Sequence, residues 1–263
     1  MEEQKIKDHI IADDINIKPI SILKSIWPFL ISLFLIYIGV YVFIPILLDK
    51  GVPFLVAYLV FFYFPFVLLF FTALILYKKE GNTWSVSDFK SRMRLNPLKK
   101  LDWVWIIGII LFFAIASGLM EPVINKIAQV PFFSPPDFFP AEINPNKISV
   151  PGYMMGYKLS GEYWIIAVYF IGWFFNIFGE ELLWRGIIFP RQIKRYGSKA
   201  WIIHGIMWGS WHFFWKWQLV ILIPLALFFS YAIYKCKNTW VGIIAHGTLN
   251  FVPLIMIILG VFN

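Results

Sequence analysis

Apolar residues run through this chain in long blocks separated by short polar stretches. A helix needs roughly 20 mostly apolar residues to cross the hydrocarbon core of a bilayer. Seven blocks reach or approach that length, at 27–48, 53–77, 103–120, 163–189, 200–215, 218–234 and 239–262. The fifth is short, and the sixth contains Pro224, which a membrane helix tolerates when its neighbours satisfy the freed backbone. The pattern predicts an all-α fold: a polytopic transmembrane helix bundle of about seven spans, within a range of six to eight. Residues 1–26 are read as an N-terminal tail and 27–263 as the membrane domain. The start, Met1-Glu2-Glu3-Gln4-Lys5, is acidic, and the first apolar run is late and too long for a cleaved signal, so it is read as a retained span.

Composition agrees with this division. Of 263 residues, 60% are hydrophobic and only 14% charged, against about 45–50% and about 25% in soluble domains. Mean hydropathy is +0.72. Such a chain has too little polar surface to cover a soluble globule. The single cysteine, Cys236, excludes an intramolecular disulfide, and no internal repeat is visible.

The lysines and arginines set an expected orientation, since cytoplasmic loops carry the excess. Lys78, Lys79, Lys90, Arg92, Arg94, Lys99 and Lys100 follow the second block; Arg191, Lys194, Arg195 and Lys199 follow the fourth; Lys235 and Lys237 follow the sixth. The other side carries only scattered lysines, among them Lys50, Lys126, Lys147, Lys158 and Lys216. The amino terminus is therefore expected in the cytoplasm. The net charge of +8 is an orientation signal, and no soluble basic domain is present to bind nucleic acid. Between the second and third blocks, Trp84 to Leu95 has the spacing of an amphipathic helix suited to an anionic leaflet. The long loop 121–162, rich in proline and phenylalanine, either covers the bundle or is an ordinary irregular connection.

Within the blocks, charge is confined to Glu180, Glu181 and Arg185, all in the fourth. An ionised side chain near a helix centre opposes insertion by about 2.5–3.5 kcal/mol on translocon scales, so such groups need partners and are functional by default. Glu181 and Arg185, at i,i+4, pair on one helix face, which by itself is a structural ion pair. Glu180 points about 100° away and is expected to find polar groups on other helices. Trp208-Gly-Ser-Trp-His212 in the fifth block and His246-Gly-Thr-Leu-Asn250 in the seventh offer them. At 1.5 Å per residue, Glu180, His212, His246 and Asn250 lie roughly 10–18 Å from the cytoplasmic end of their helices, in one layer. His204, nearer the headgroups, reads as an interhelical hydrogen bond. Ser210 faces away from His212, and Cys236 sits at a helix end.

A glutamate beside a histidine can take a proton from water, and a second histidine with an asparagine amide can donate to a developing oxyanion. Those parts suffice for hydrolysis of a peptide bond without a serine or cysteine nucleophile. Two Glu and two His also suit zinc or a di-metal site, although the His-Glu-x-x-His spacing is absent. The residues alone leave both open.

Glu180-Glu181-Leu-Leu-Trp-Arg185 resembles a Glu-Glu-x-x-x-Arg motif, Trp208-Gly-Ser-Trp-His212 a Phe-x-x-x-His motif, and His246-Gly-Thr-Leu-Asn250 a His-x-x-x-Asn motif. In this order they resemble the CAAX protease and bacteriocin-processing (CPBP, Abi) family of intramembrane endopeptidases, over about residues 163–255. The resemblance implies that Glu180 with His212 activates water, that His246 and Asn250 stabilise the oxyanion, and that Glu181, Arg185 and Trp208 support the site. It favours a metal-free glutamate mechanism with no cofactor; zinc, held by Glu180, His212 and His246, is the alternative. Trp208 stands where the family has phenylalanine, adding bulk and an N–H donor. The spacing from His212 to His246 resembles the shorter bacterial type rather than the prenyl-protein protease. The implied partners are the bilayer and a membrane-associated peptide or protein substrate. The implied setting is a multi-pass protein of a prokaryotic plasma membrane. Two other classes compete: a transporter or proton relay lined by these groups, and a non-catalytic immunity or regulatory membrane protein.

Overall fold

The computed structural model describes residues 17–263; His9 and most of the expected 1–26 tail lie outside the described residues. Among the described residues the regular structure is helical apart from one small hairpin. Five helical stretches are long and apolar enough to cross a membrane: Ile22–Leu48, Phe54–Lys79, Lys100–Ala128, Trp164–Cys236 and Thr239–Phe262. Their outward side chains, such as Leu23, Phe34, Val104, Ile115, Leu119 and Leu259, are large, apolar and exposed, as a lipid-facing surface requires.

Helix α1 (Ile22–Leu48) starts five residues earlier than the hydrophobic block suggested. Ser21 caps it, its Oγ accepting from the Lys24 amide at 3.3 Å. Pro28 removes an amide within the helix, and Ser32 Oγ donates back to the Pro28 carbonyl at 2.7 Å. Helix α2 (Phe54–Lys79) is interrupted by a turn at Phe62 and Tyr63, just ahead of Pro65. The expected amphipathic segment 84–95 shortens to α3 (Val86–Arg92), capped by Ser85 and ended at Arg94, whose φ is +55°. It does not float free. Arg92 donates to both oxygens of Glu80 (2.6 and 2.7 Å) and to the Gly186 carbonyl (2.6 Å), and Arg191 also donates to Glu80. Burial alone raises a carboxyl group's pKa, but here the two guanidinium groups outweigh it and hold Glu80 below its usual range.

Helix α4 (Lys100–Ala128) has 29 residues and is the span least covered by protein. The segment after it packs into the bundle rather than standing off. Phe139 is fully buried, its ring 5.5–6.0 Å from those of Tyr41, Phe54, Trp215 and Trp217. Strands β1 (Tyr153–Met154) and β2 (Tyr157–Lys158) pair antiparallel across a two-residue turn, Met155-Gly156, both with positive φ, the backbone of a type I′ hairpin. Among the described residues this is the one sheet in an otherwise helical fold.

The 73-residue stretch Trp164–Cys236 folds back on itself. It comprises α5 (Trp164–Glu180), a π-helical segment (Glu181–Ile188), α6 (Phe189–Tyr196), α7 (Ala200–Trp211), a 3₁₀ turn (His212–Gln218) and α8 (Leu219–Cys236). Gly197, at φ +55° and ψ −129°, ends α6, and Trp215 breaks the helical path between α7 and α8. Helix α7 has 12 residues, about 18 Å of rise, and the 3₁₀ segment His212–Gln218 carries the chain on from it to α8, along which it packs. The last block also divides, into α9 (Thr239–Leu249) and α10 (Val252–Phe262), with Asn250 and Phe251 in the break before Pro253.

Close packing aligns these pieces. A Cβ on Gly179 would lie 2.5 Å from the Phe66 carbonyl oxygen, so only glycine lets α5 approach α2 this closely. Gln192, buried in α6, ties α7 to α1. Its Oε1 accepts from His204 Nδ1 (2.7 Å), and its Nε2 donates to Ser25 Oγ (3.0 Å). Trp211 Nε1 donates to Ser32 Oγ at 2.9 Å.

Candidate active site

The polar groups of the three motifs gather where the helices lose regularity. Glu180 is the last residue of α5, immediately before the π-helical segment. His212 caps the end of α7, and Asn250 caps the end of α9. Non-standard backbone at membrane depth is tolerated where it is buried in protein or lines a cavity, and π-segments recur at functional sites.

Glu180, His212, His246 and Asn250 all line one cavity of about 430 Å³. Its other walls are aromatic and aliphatic, with Tyr58, Phe62, Tyr63 and Trp215 among them, and Glu142, Ile143, Met154 and Met155 come from the 129–163 segment. Glu181 and Arg185 do not line it. They sit behind, fully buried, with Arg185 Nη1 donating to Glu181 Oε1 at 3.0 Å. The 100° offset between consecutive helical residues separates the two glutamates: Glu180 faces the cavity and Glu181 faces α9. A Cβ on Gly242 would collide with Glu181 Oε2.

Glu180 is 1% exposed. Its Oε2 accepts from Trp208 Nε1 at 2.7 Å and its Oε1 from Asn176 Nδ2 at 3.0 Å. Sequence reasoning expected Glu180 to lack a local partner, and Asn176 corrects that. The signal was present: Asn176 is an amide one helical turn earlier, at i−4, in an otherwise apolar block. Trp208, expected as an aromatic wall, is a hub. Beyond its bond to Glu180, the Arg185 guanidinium lies 3.7 Å from its ring centroid, and its ring meets those of His212 (5.2 Å) and His246 (5.8 Å) edge-on.

His212 Nδ1 lies 2.9 Å from the Trp208 carbonyl oxygen. A carbonyl only accepts, so Nδ1 carries the proton and neutral His212 presents a bare Nε2 lone pair. His246 Nδ1 lies 3.0 Å from Glu181 Oε1, so that carboxylate accepts from both His246 and Arg185. Asn250 Nδ2 donates to the His246 carbonyl at 3.1 Å, which leaves its second amide N–H and its Oδ1 for the cavity. His204 stays outside, bonded to Gln192.

Zinc was the alternative for Glu180, His212 and His246. Among the described residues no three His, Cys, Asp or Glu side chains converge as ligands for a metal ion. The three residues share the cavity without forming a ligand set.

With the fold and geometry in place, the likeness to known proteins has a location. Residues 162–252 match the model of a family described as type II CAAX prenyl endopeptidase Rce1-like. This segment, about a third of the chain, runs from the start of α5 to the end of α9 and contains every motif residue above. The matched family is a protease family, and the apolar helices make the chain a multi-pass membrane protein. No curated protein matches the chain. No solved structure matches it either.

Proposed function

We propose that this protein is an intramembrane endopeptidase that hydrolyses a peptide bond of a membrane-associated peptide or protein with water activated by Glu180 and His212. The observation carrying this reading is the sharing of one cavity by Glu180, His212, His246 and Asn250. A water in that cavity would give its proton to the Glu180 carboxylate, whose position Trp208 and Asn176 fix, with the His212 Nε2 lone pair accepting from the same water. The resulting hydroxide attacks the scissile carbonyl, and the tetrahedral oxyanion receives hydrogen bonds from Asn250 and from His246 Nε2–H. The contact of His246 Nδ1 with Glu181 Oε1 fixes the orientation of the ring. Collapse of the intermediate returns a proton to the leaving amine. Glu181 and Arg185 act as positioning residues that hold His246 and the Trp208 ring.

In this reading the lysine- and arginine-rich ends of the helices face the cytoplasm, and the 129–163 segment lies on the far side. The setting is a prokaryotic plasma membrane. The test is a cleavage assay with purified protein in nanodiscs and membrane-peptide substrates, with and without a chelator, beside Glu180→Gln. Chelator-resistant cleavage that Glu180→Gln abolishes supports the mechanism. Cleavage that survives Glu180→Gln overturns it.

A further inference from the structure

One charged group in the cavity has no role in the chemistry above. Glu142 lines the cavity from the 129–163 segment, yet its Oε2 is fully buried and has no hydrogen-bond partner among the described residues. A buried carboxylate oxygen without a donor is costly, because burial strips its water without replacing it. Its surroundings are fixed. Phe139, three residues earlier, is wedged in the aromatic core, and Asn144, two residues later, is buried and bonded to the Pro136 carbonyl and the Asn146 amide. The backbone on either side of Glu142 is therefore anchored at the cavity wall.

The rest of the cavity offers this oxygen amides and hydroxyls, such as those of Gln218 and Tyr169, but no lysine or arginine. Apart from the two histidines, the only strongly charged groups lining it are Glu142 and Glu180, and both oxygens of Glu180 already have donors. Aromatic side chains, Tyr58, Phe62, Tyr63 and Trp215 among them, line the same cavity. An unpaired carboxylate beside aromatic faces is suited to a cation, which one group attracts by charge and the other by its quadrupole.

We infer that Glu142 is a specificity-determining residue that selects substrates carrying a lysine or arginine side chain close to the bond to be cut. The inference rests on the reading of this cavity as the peptide site. The cation donates its N–H groups to Glu142 Oε2, and apolar neighbours in the substrate fill the aromatic walls. A neutral substrate leaves the carboxylate unpaired, which is a stronger source of discrimination than any missing apolar contact. Nothing in the 162–252 stretch encodes this preference, since Glu142 precedes it.

The experiment compares peptides that differ at one position, lysine, norleucine or glutamate, with that position moved through an apolar membrane peptide. Equilibrium binding to the full chain in nanodiscs is read by fluorescence anisotropy, with cleavage rates alongside. At one position or more the wild type is expected to bind the lysine peptide about tenfold or more tightly than the norleucine peptide. Glu142→Gln removes that preference, and Glu142→Lys turns the preference toward the glutamate peptide. A loop that merely collapses weakens all three peptides together, and that result contradicts the inference. So does a lysine preference undiminished in Glu142→Gln, or no preference in the wild type. Charge-selective binding without any cleavage contradicts the endopeptidase reading alone, while cleavage without charge preference contradicts this inference alone.

Discussion

Trp208 Nε1 donates a 2.7 Å hydrogen bond to Glu180 Oε2, so a residue from α7 fixes the carboxylate at the end of α5. Hydrogen bonds to charged groups contribute about 1.5–3 kcal/mol. Trp208→Phe keeps an aromatic ring and removes only the donor. The expected outcome is cleavage slowed roughly tenfold or more, with thermal unfolding in detergent little changed. Trp208→Ala is expected to lower stability as well, by about 3–5 kcal/mol, because it also removes the ring beneath the Arg185 guanidinium.

Glu181 and Arg185 form a fully buried pair, and removal of one partner strands the other. Glu181→Gln or Arg185→Met is expected to cost roughly 3–5 kcal/mol of stability, read from denaturation midpoints. The double variant is expected to cost less than the two single losses combined, because neither charge is then left alone. Additive losses would show that the pair is not a unit.

Gly179 lets α5 lie against the Phe66 carbonyl, and backbone cannot yield as a flexible side chain can. Gly179→Ala is expected to destabilise the fold by about 1–3 kcal/mol. Gly108 is the control, since a Cβ there meets only Phe228 at 3.8 Å. Gly108→Ala is expected to be neutral or slightly stabilising, through helix propensity.

Glu80 binds Arg92 and Arg191 near the lysine-rich end. Its folded-state pKa is depressed, so the stability it contributes is fully present above its unfolded value, about 4.3, and is lost as pH falls through the folded value. Thermal unfolding of wild type and Glu80→Gln should therefore differ at neutral pH and converge in acid once the pH has fallen below that depressed folded value. A gap independent of pH would contradict this.

The class of fold was legible because long apolar blocks admit few other outcomes. The path between the blocks was less so: Trp164–Cys236 folds back on itself as one helical stretch, and apolar composition does not show where a helix turns back inside a bundle. That Glu180, His212, His246 and Asn250 would be near one another was suggested by helical rise, and all four line one cavity. Their irregular backbone was not legible in the same way: a π-segment at Glu181–Ile188 has no residue signature, whereas the break at Asn250 is foreshadowed by Pro253. Asn176 was legible from its i,i+4 spacing to Glu180. Glu142 was not, because the long loop that carries it has no periodic pattern to show which side chain turns inward.

The central claim is that Glu180 and His212 together activate the water. The most direct measurement is the single-turnover cleavage rate of one membrane peptide by wild type, Glu180→Gln, His212→Gln and the double variant, each with its unfolding midpoint. Each single variant is expected to lose about 10²-fold or more with the fold retained, and the double variant to lose little beyond the worse single one, as residues acting as a unit do. Folded single variants that cleave at the wild-type rate would contradict the account.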